Sequence, residues 1–259
     1  MRAIWSGSIN FGLVNIPIHL YPATQDKNLD FDYLHEKDLS PVRYAKVCKK
    51  EEKEIKSDEI IRGFEYSEGE YIAVTDEDID RASPEKTNSI QILSFAKESE
   101  IDSEYFETPY YLEPDKSAKK AYYLLYEALK ETESVGVASF ILRTRETLGI
   151  LKVYKNLIVL NRIRYSEEIR DYAELEIPSR EAISAAEVDM ATSLIKKLTK
   201  KFDPNDYQDT YREKLEKMIK SKASGKKLPE IKAHKQTGKV KDLMSLLKES
   251  LEEGKSATS

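Results

Sequence analysis

The stretch IWSGSINFGLVNIPIHLY, residues 4–21, decides how the fold begins. It contains no Asp, Glu, Lys or Arg, although 34% of the chain is charged. Its apolar residues alternate with polar ones, on odd positions up to Phe11 and on even positions from Val14, with the change at Gly12-Leu13. Such a change turns the apolar face over unless the backbone bends, and glycine tolerates a bend. We therefore predict two half-buried strand segments joined by a kink, as at the start of a curved sheet or barrel.

The same stretch argues against an anchor or a secretory signal. A membrane span needs about 20 mainly apolar residues, and a signal needs a basic start with an uninterrupted apolar centre. Polar residues from Ser6 to His19 interrupt both patterns. Cys48 is the single cysteine, which excludes an intramolecular disulfide and a cysteine-based zinc cage. We expect a cytoplasmic protein without a membrane partner.

Charge is unevenly distributed along the chain. The formal net charge is −5, but residues 141–170 hold seven basic and three acidic side chains, and residues 196–241 hold fifteen and six. The remaining segments are acidic. A molecule polarised in this way would confine a nucleic-acid partner to one surface.

Up to about residue 170 the pattern is mostly that of strands. β-Branched and aromatic residues are frequent in RYAKVCKK, FEYSEGEYIAV, SIQILSFA, ASFILRTR and GILKVYKNLIVLNRIRYS. Two helices interrupt them: TDEDIDRA begins a short helix, and SAKKAYYLLYEALKET forms a longer one. The predicted apolar stripe of the longer helix is Ala121, Leu124, Leu125, Ala128 and Leu129.

After Pro178 the spacing becomes helical. EAISAAEVDMATSLIKKLTKK forms a first helix, and a second is predicted to begin with Asp203 as N-cap and Pro204 at the first helical position. The apolar face of the second helix must be buried, and a partner subunit is a natural acceptor. This face consists of Tyr207, Tyr211, Leu215, Met218 and Ile219. A basic linker follows, and a last short helix has an apolar stripe of Val240, Leu243, Met244, Leu247 and Leu251. This stripe either docks on the chain's own barrel or folds into a groove of a partner.

Three short motifs fail as chemical sites. HEKDL lacks the second histidine of a zinc protease, since Leu39 stands there. DEDID lacks the glycine of a calcium loop, since Arg81 stands there, so we interpret it as a helix start capped by Thr75. SGKK lacks the upstream glycine and the Ser or Thr of a phosphate-binding loop. We predict no catalytic residue, no metal and no cofactor.

Basic segments are better candidates. Arginines alternate in RTR and in NRIRYSEEIR, which places Arg143 with Arg145, and Arg162 with Arg164, on one face of a strand. Such pairs suit DNA contact, but they equally suit a solvated strand edge. A third segment, RYAKVCKKEEKEIK, is mixed with glutamates and by itself is typical of an exposed loop. Its basic residues are Arg43, Lys46, Lys49, Lys50, Lys53 and Lys56. Arg62, six residues after the segment, is a further candidate.

Seven segments resemble the bacterial Ku family, the DNA-end-binding proteins of non-homologous end joining. They are IWSGSINFGLVNIPIHLY, RGFEYSEGEYIAV, IDSEYFETPYYLEPD, AYYLLYEAL, RIRYSEEIR, FDPNDYQDTYREKLEKMIKSKASGK and DLMSLLKESLE. Together they cover nearly the whole chain in the order of the family.

The resemblance implies an α+β fold: a Ku-like antiparallel β-barrel with an extended DNA-encircling arm, then a C-terminal helical arm and a short tail. Residues 1–177 are expected to form the barrel and bridge region, 178–222 a helical dimerisation arm, and 223–259 a basic linker with a partner-recruiting helix. The implied assembly is a homodimeric ring around double-stranded DNA ends. It binds without sequence specificity, protects the ends at the nucleoid, and recruits the ATP-dependent multifunctional DNA ligase of bacterial end joining.

Roles follow from the resemblance for the candidate residues. The basic residues from Arg43 to Arg62 fall on the arm that crosses DNA, and Arg143 and Arg145 fall on the barrel side of the channel. The stripe from Val240 to Leu251 falls on the ligase-recruiting helix. By the same resemblance, the uncharged opening stretch forms part of the barrel wall. The basic tail is shorter than in some relatives, so tail-dependent bridging or sliding is in doubt.

Two other function classes stay open on the residues alone. A metal-dependent nuclease could use some of the many carboxylates, although spacing does not show that any of them converge. A structural protein could dimerise without DNA. A magnesium-dependent cleavage assay separates the nuclease from the other two.

Overall fold

The computed structural model describes residues 1–82, 88–142, 145–177 and 183–225. The chain divides into two compact units, Met1–Asp171 and Tyr172–Ser259, so the division lies close to the predicted boundary after residue 177. The elements of the first unit are β1 (Trp5–Phe11), β2 (Val14–Pro22), β3 (Arg62–Ser67), β4 (Glu70–Val74), α1 (Asp76–Ala82), β5 (Ser89–Lys97), β6 (Phe106–Pro114), α2 (Lys119–Glu131), β7 (Ser134–Leu142), β8 (Arg145–Tyr154) and β9 (Leu157–Ile163).

Seven of these strands form a closed barrel in the order β1, β2, β6, β9, β8, β7, β5. Neighbouring strands are antiparallel except β1 and β5, which pair in parallel and close the barrel. The predicted barrel and α+β class are confirmed. The parallel closure had no signal in the local sequence.

The opening stretch is a hairpin whose two-residue turn is Gly12 and Leu13. Residues opposite each other in β1 and β2 have opposite parity, as Ile9 and Ile16 do, so odd positions of β1 and even positions of β2 share the inner face. Gly12 has a φ of +56°, a value that glycine adopts without strain. The predicted kink was wrong: the chain reverses here, and a two-residue turn pairs odd positions of one strand with even positions of the other.

Strand β6 was missed, although it lies between β2 and β9 in the barrel. Its sequence FETPYYLEP contains two prolines, and proline donates no hydrogen bond to a sheet ladder. The structure places Pro109 beside a register shift between Phe106 and Pro109 and places Pro114 at the strand end. Both prolines therefore occupy positions where a missing N–H is tolerated.

The barrel interior is packed with side chains from the strands and from α2, including the fully buried Ile9, Ile16, Leu20, Leu151, Ile158 and Leu160. Helix α2 contacts β7, β8 and β2. The predicted stripe on α2 was partly wrong, since Leu125 and Leu129 are buried but Leu124 is 68% exposed and Ala128 is exposed. Two tyrosines of α2 are buried in their place. Their hydroxyl groups reach backbone groups of β6 and of the turn between β8 and β9, which the apolar spacing does not reveal.

Residues 23–61 form no long strand. They contain isolated bridges between Leu34 and Pro41 and between Val47 and Glu54. The predicted strand over residues 43–50 was therefore wrong. Strands β3 and β4 form a separate two-stranded antiparallel sheet outside the barrel sheet.

The second unit contains α3 (Ala185–Leu198), a 3₁₀ turn at Pro204–Asp206 and α4 (Thr210–Ala223). Asp203 does cap a turn, since its side chain accepts a hydrogen bond from Asn205 N at 2.9 Å. The chain becomes extended again at Tyr207, and Asp209 caps α4. The predicted start of the helix was therefore six residues too early. Residues 226–259, with the predicted last helix, lie outside the described residues.

Candidate nucleic-acid interface

The basic segment at residues 46–55 forms a small exposed loop. Cys48 N donates to Lys53 O at 2.9 Å, and Ile55 N donates to Lys46 O at 2.9 Å, so backbone bonds hold the two sides together. The turn between them is tight, and Glu52 takes a φ of +55° within it. Local backbone bonding therefore shapes this loop, which has no core of its own.

Five predicted DNA-contacting lysines lie on or beside this loop with exposed side chains. They are Lys46, Lys49, Lys50, Lys53 and Lys56. Within the described part of the chain none of their ammonium groups forms an ion pair. These groups are free to bind phosphate oxygens.

The two predicted arginines of the same region are paired. Arg43 Nη2 lies 3.1 Å from Glu54 Oε2, and Arg62 Nη1 lies 2.8 Å from Asp76 Oδ1. All four side chains are more than half exposed. Exposed ion pairs contribute about 0–1 kcal/mol, so a phosphate group can replace either carboxylate at small cost.

Helix α1 begins directly after β4 and carries Asp76, the partner of Arg62. Thr75 and Asp78 cap it reciprocally: Asp78 N donates to Thr75 Oγ1 at 3.2 Å, and Thr75 N donates to Asp78 Oδ2 at 3.0 Å. The hydrogen bonds from Thr75 lower the pKa of Asp78. The predicted capped helix start is confirmed, and it fixes Asp76 beside the strand that carries Arg62.

The β3–β4 sheet is exposed on both faces. Phe64, opposite Ile72, is 65% exposed, and Tyr71 is also 65% exposed. Tyr66 is 56% exposed, and a hydrogen bond with Glu70 raises its pKa. The prediction of a half-buried surface for Tyr66 and Tyr71 was wrong for the single chain, because no second layer covers this sheet in the described residues.

Arg162 of β9 and Arg164, which follows this strand, have a common acidic partner that the sequence did not indicate. Arg162 Nε lies 2.9 Å from Glu107 Oε2, and Arg164 Nη2 lies 3.1 Å from Glu107 Oε1. Arg164 Nη1 also donates to the carbonyl oxygens of Glu104 and Phe106, each at 3.2 Å. Arg164 therefore ties β9 to β6, and the carboxylate offsets one of the two positive charges.

Arg145 is the exposed first residue of β8, opposite Leu142 at the end of β7. Arg143 lies outside the described residues, so the predicted common face of these arginines is not tested.

Tyr211, Leu215, Met218 and Ile219 share one face of α4. Tyr207 lies before this helix and stacks on Phe202, with ring centroids 5.7 Å apart. The stripe from Val240 to Leu251 lies outside the described residues.

No described residue of the second unit is buried. Tyr211 is 73% exposed and Ile195 of α3 is 66% exposed. Helices of this length depend on packing of an apolar face for most of their stability. The two described helices therefore lack a hydrophobic core within the single chain.

The described ranges contain neither a cluster of metal-ligand side chains nor a helix that could span a bilayer. No group of three or more His, Cys, Asp or Glu side chains there is arranged to hold a metal ion. In the same ranges, no helix combines the length and the apolar character needed to span a bilayer.

Comparisons with known proteins agree with this architecture. A family model described as Ku, the Ku70/Ku80 beta-barrel domain, matches residues 10–190. The "Non-homologous end joining protein Ku" of Bacillus subtilis is 41% identical over 228 residues, which cover 87% of this chain and 73% of the relative.

Two further relatives with that name match almost the whole chain. The protein of Heliobacterium modesticaldum is 41% identical over 256 residues, covering 98% of this chain and 93% of the relative. The protein of Archaeoglobus fulgidus is 40% identical over 255 residues, covering 97% and 99%. With its seven-stranded barrel and the extent of these matches, the chain belongs to the Ku70/Ku80 β-barrel family.

Proposed function

We propose that this protein binds double-stranded DNA ends in non-homologous end joining. Two copies form a ring through which the end is threaded, and the ring holds and protects the end at the nucleoid. The names of the relatives, each a non-homologous end joining protein, support the end-joining role. No catalytic step is needed for it.

The observation that supports the homodimer is that no described residue of the helical unit is buried. Leu215, Met218 and Ile219 lie on one face of α4 without a core to receive them. A second copy offers the same face, and closed twofold dimers are the commonest soluble assembly. The exposed β3–β4 sheet also needs a surface to pack against, since an isolated two-stranded sheet is only marginally stable in water.

Sequence-independent binding follows from the chemistry of the exposed loop at residues 46–55. Ammonium groups without ion-pair partners bind phosphate oxygens, and phosphate contacts carry no sequence information. Arg43 and Arg62 can exchange their carboxylate partners for phosphate. A closed ring converts this affinity into selectivity for ends, because only an end can be threaded.

A ligase partner belongs to the same proposal. The residues from Val240 to Leu251 carry an apolar stripe at helical spacing, and a short amphipathic helix commonly folds into a groove of its partner. We assign this stripe to recruitment of the ATP-dependent multifunctional ligase. Truncation after Ser224 is expected to leave end binding largely intact while it reduces ligase stimulation. Equal loss of end binding and of ligase stimulation would mean that the tail contributes to DNA binding or to folding of the chain.

A competition experiment tests end binding itself. A labelled linear duplex is bound by the full chain and challenged with unlabelled linear or covalently closed duplex of the same sequence. Linear competitor should displace the probe, and closed competitor should not. Equal competition by the two forms would contradict the proposed function.

A further inference from the structure

A cavity of about 600 Å³ opens on the outer face of the barrel. It lies where β2, β6 and the beginning of β9 meet the first turn of α2. Its size falls in the range of about 300–1,000 Å³ that is typical of ligand-binding cavities. The lining includes Tyr21, Tyr111, Glu113, Tyr122, Tyr123 and Leu157.

The register of β2 and β6 brings three of these side chains together. Tyr21 lies directly opposite Tyr111, and Glu113 follows two residues later on the same face. Leu20 and Leu112, on the opposite face, are buried in the core. The aromatic and acidic side chains of the cavity are therefore placed on the outer surface by the alternation of the strands.

Glu113 is held by one tyrosine. The Tyr21 hydroxyl donates a hydrogen bond to Glu113 Oε2 at 2.6 Å, which raises the pKa of Tyr21. The other carboxylate oxygen, Oε1, has no hydrogen-bond partner among the described residues. One acceptor therefore remains open beside the tyrosine rings.

The wall formed by α2 is also exposed. Tyr123 is 52% exposed, and its ring is fixed by edge contacts with Tyr122 and Tyr126 at centroid distances of 5.8 and 6.2 Å. An ordered aromatic ring that is half exposed offers an apolar surface at low entropic cost. The barrel core does not need this surface, since Tyr122 already fills the buried position.

Carboxylate and tyrosine rings together favour a cation. The ring faces attract an ammonium or guanidinium group electrostatically, and the carboxylate adds a charge-assisted hydrogen bond. Guanidinium suits both at once, because it is planar and presents several donors. The carboxylate disfavours a phosphate group at the same place.

We propose that this cavity binds an arginine or lysine side chain of a basic peptide segment on a partner protein, with apolar neighbours of that residue on the tyrosine rings. The cavity volume accommodates more than one side chain, which accounts for the apolar neighbours. This proposal does not depend on DNA binding, so an experiment can contradict the peptide site without contradicting DNA-end binding, and the reverse.

The test uses the full chain and a fluorescein-labelled peptide, Gly-Leu-Arg-Leu-Gly, followed by fluorescence anisotropy. The matched neutral probe replaces arginine with citrulline, which keeps the shape and removes the charge. The arginine peptide should bind at least about tenfold more tightly than the citrulline peptide. Glu113→Gln should abolish most of this difference while it leaves the citrulline peptide unchanged.

Two variants on α2 complete the design. Tyr123→Ala should weaken both peptides several-fold, whereas Leu124→Ala, a neighbour that does not line the cavity, should change neither. Thermal unfolding midpoints and binding of linear duplex should be the same for all variants, which establishes that each is folded.

Four results would overturn the proposal. Equal affinity for arginine and citrulline peptides, or an unchanged difference in Glu113→Gln, would remove the role of the carboxylate. Binding of dAMP that is lost in Tyr123→Ala would identify a base-stacking site instead. Peptide binding that becomes tenfold tighter when the five lysines of residues 226–239 are changed to glutamine would assign the cavity to the chain's own basic segment.

Discussion

The hydroxyl of Tyr122 donates a hydrogen bond to the carbonyl oxygen of Leu112 at 2.8 Å. The same hydroxyl accepts a hydrogen bond from Ile158 N at 2.7 Å. Leu112 and Ile158 form the last described pair between β6 and β9. A helix side chain therefore continues the ladder between these two strands and closes this part of the barrel.

Tyr122→Phe should destabilise the protein by about 2–3 kcal/mol, because it leaves a buried N–H and a buried carbonyl without a partner. Tyr126→Phe is the matched control, since the Tyr126 hydroxyl makes a single bond, to Lys155 O at 2.7 Å. The control should lose about 1 kcal/mol. Urea unfolding measures both, and equal losses would contradict the bridging role of Tyr122.

The same pair of variants predicts a pH dependence. Burial raises the pKa of Tyr122 to about 12, and the bond from Ile158 N offsets part of this effect. The unfolded chain loses the proton near pH 10, whereas the folded chain keeps it, so stability falls as pH rises from about 10 to 12. The Tyr122→Phe variant has no ionisable group at this position, so its stability lacks this fall with pH. Its stability deficit relative to the unchanged protein should therefore shrink above pH 10.

Arg164→Lys should lower the free energy of unfolding by about 1–2 kcal/mol, since an ammonium group does not reproduce the contacts of the guanidinium with Glu107 and two carbonyl oxygens. Arg170→Lys is the control, because Arg170 is exposed. Urea midpoints that are the same for both variants would show that Arg164 is not a structural clamp.

Local signals in the sequence were sufficient for the elements they control. The hydroxyl of Thr75 and the carboxylate of Asp78 stand three residues apart, and a cap needs only those two groups. The parity change at Gly12 also located a real feature. A bent strand and a hairpin with a two-residue turn produce the same change of parity, and only the pairing partner distinguishes them.

Contacts between distant segments could not be predicted. Glu107 and Arg162 come from strands that are neighbours only in the closed barrel, and neither residue has a local pattern that identifies the other. The parallel pairing of β1 with β5 is likewise a property of closure. The exposure of the lysines at residues 46–56 could be predicted, since a loop rich in charge has no core to enter. Their contact with DNA stays a prediction.

Charge reversal in the exposed loop should weaken DNA-end binding. We expect Lys49, Lys50 and Lys53, changed together to glutamate, to lower affinity and to reduce the slope of log affinity against log salt by up to about three per subunit. Sequence preference should not change. The same reversal of Lys116, Lys119 and Lys120 is the control for net charge. Equal effects of the two triple variants, measured by fluorescence anisotropy at several salt concentrations, would place the DNA elsewhere.

Leu215→Asp on α4 should weaken the homodimer, because it places a carboxylate on the apolar face that we assign to the partner. Lys214→Asp tests the same type of substitution on an exposed position of the helix. Size-exclusion chromatography with light scattering at low micromolar concentration should show monomer for the first variant and dimer for the second. An intact dimer in Leu215→Asp would remove this face from the interface.

Topological trapping tests the threaded ring most directly. The full chain is loaded on a linear duplex, the duplex is closed into a circle by ligation, and the salt concentration is raised until binding to linear DNA is lost. A ring threaded before closure should remain on the circle at that salt concentration, and protein added after closure should not bind. Release from the closed circle at the salt concentration that releases linear DNA would contradict the ring.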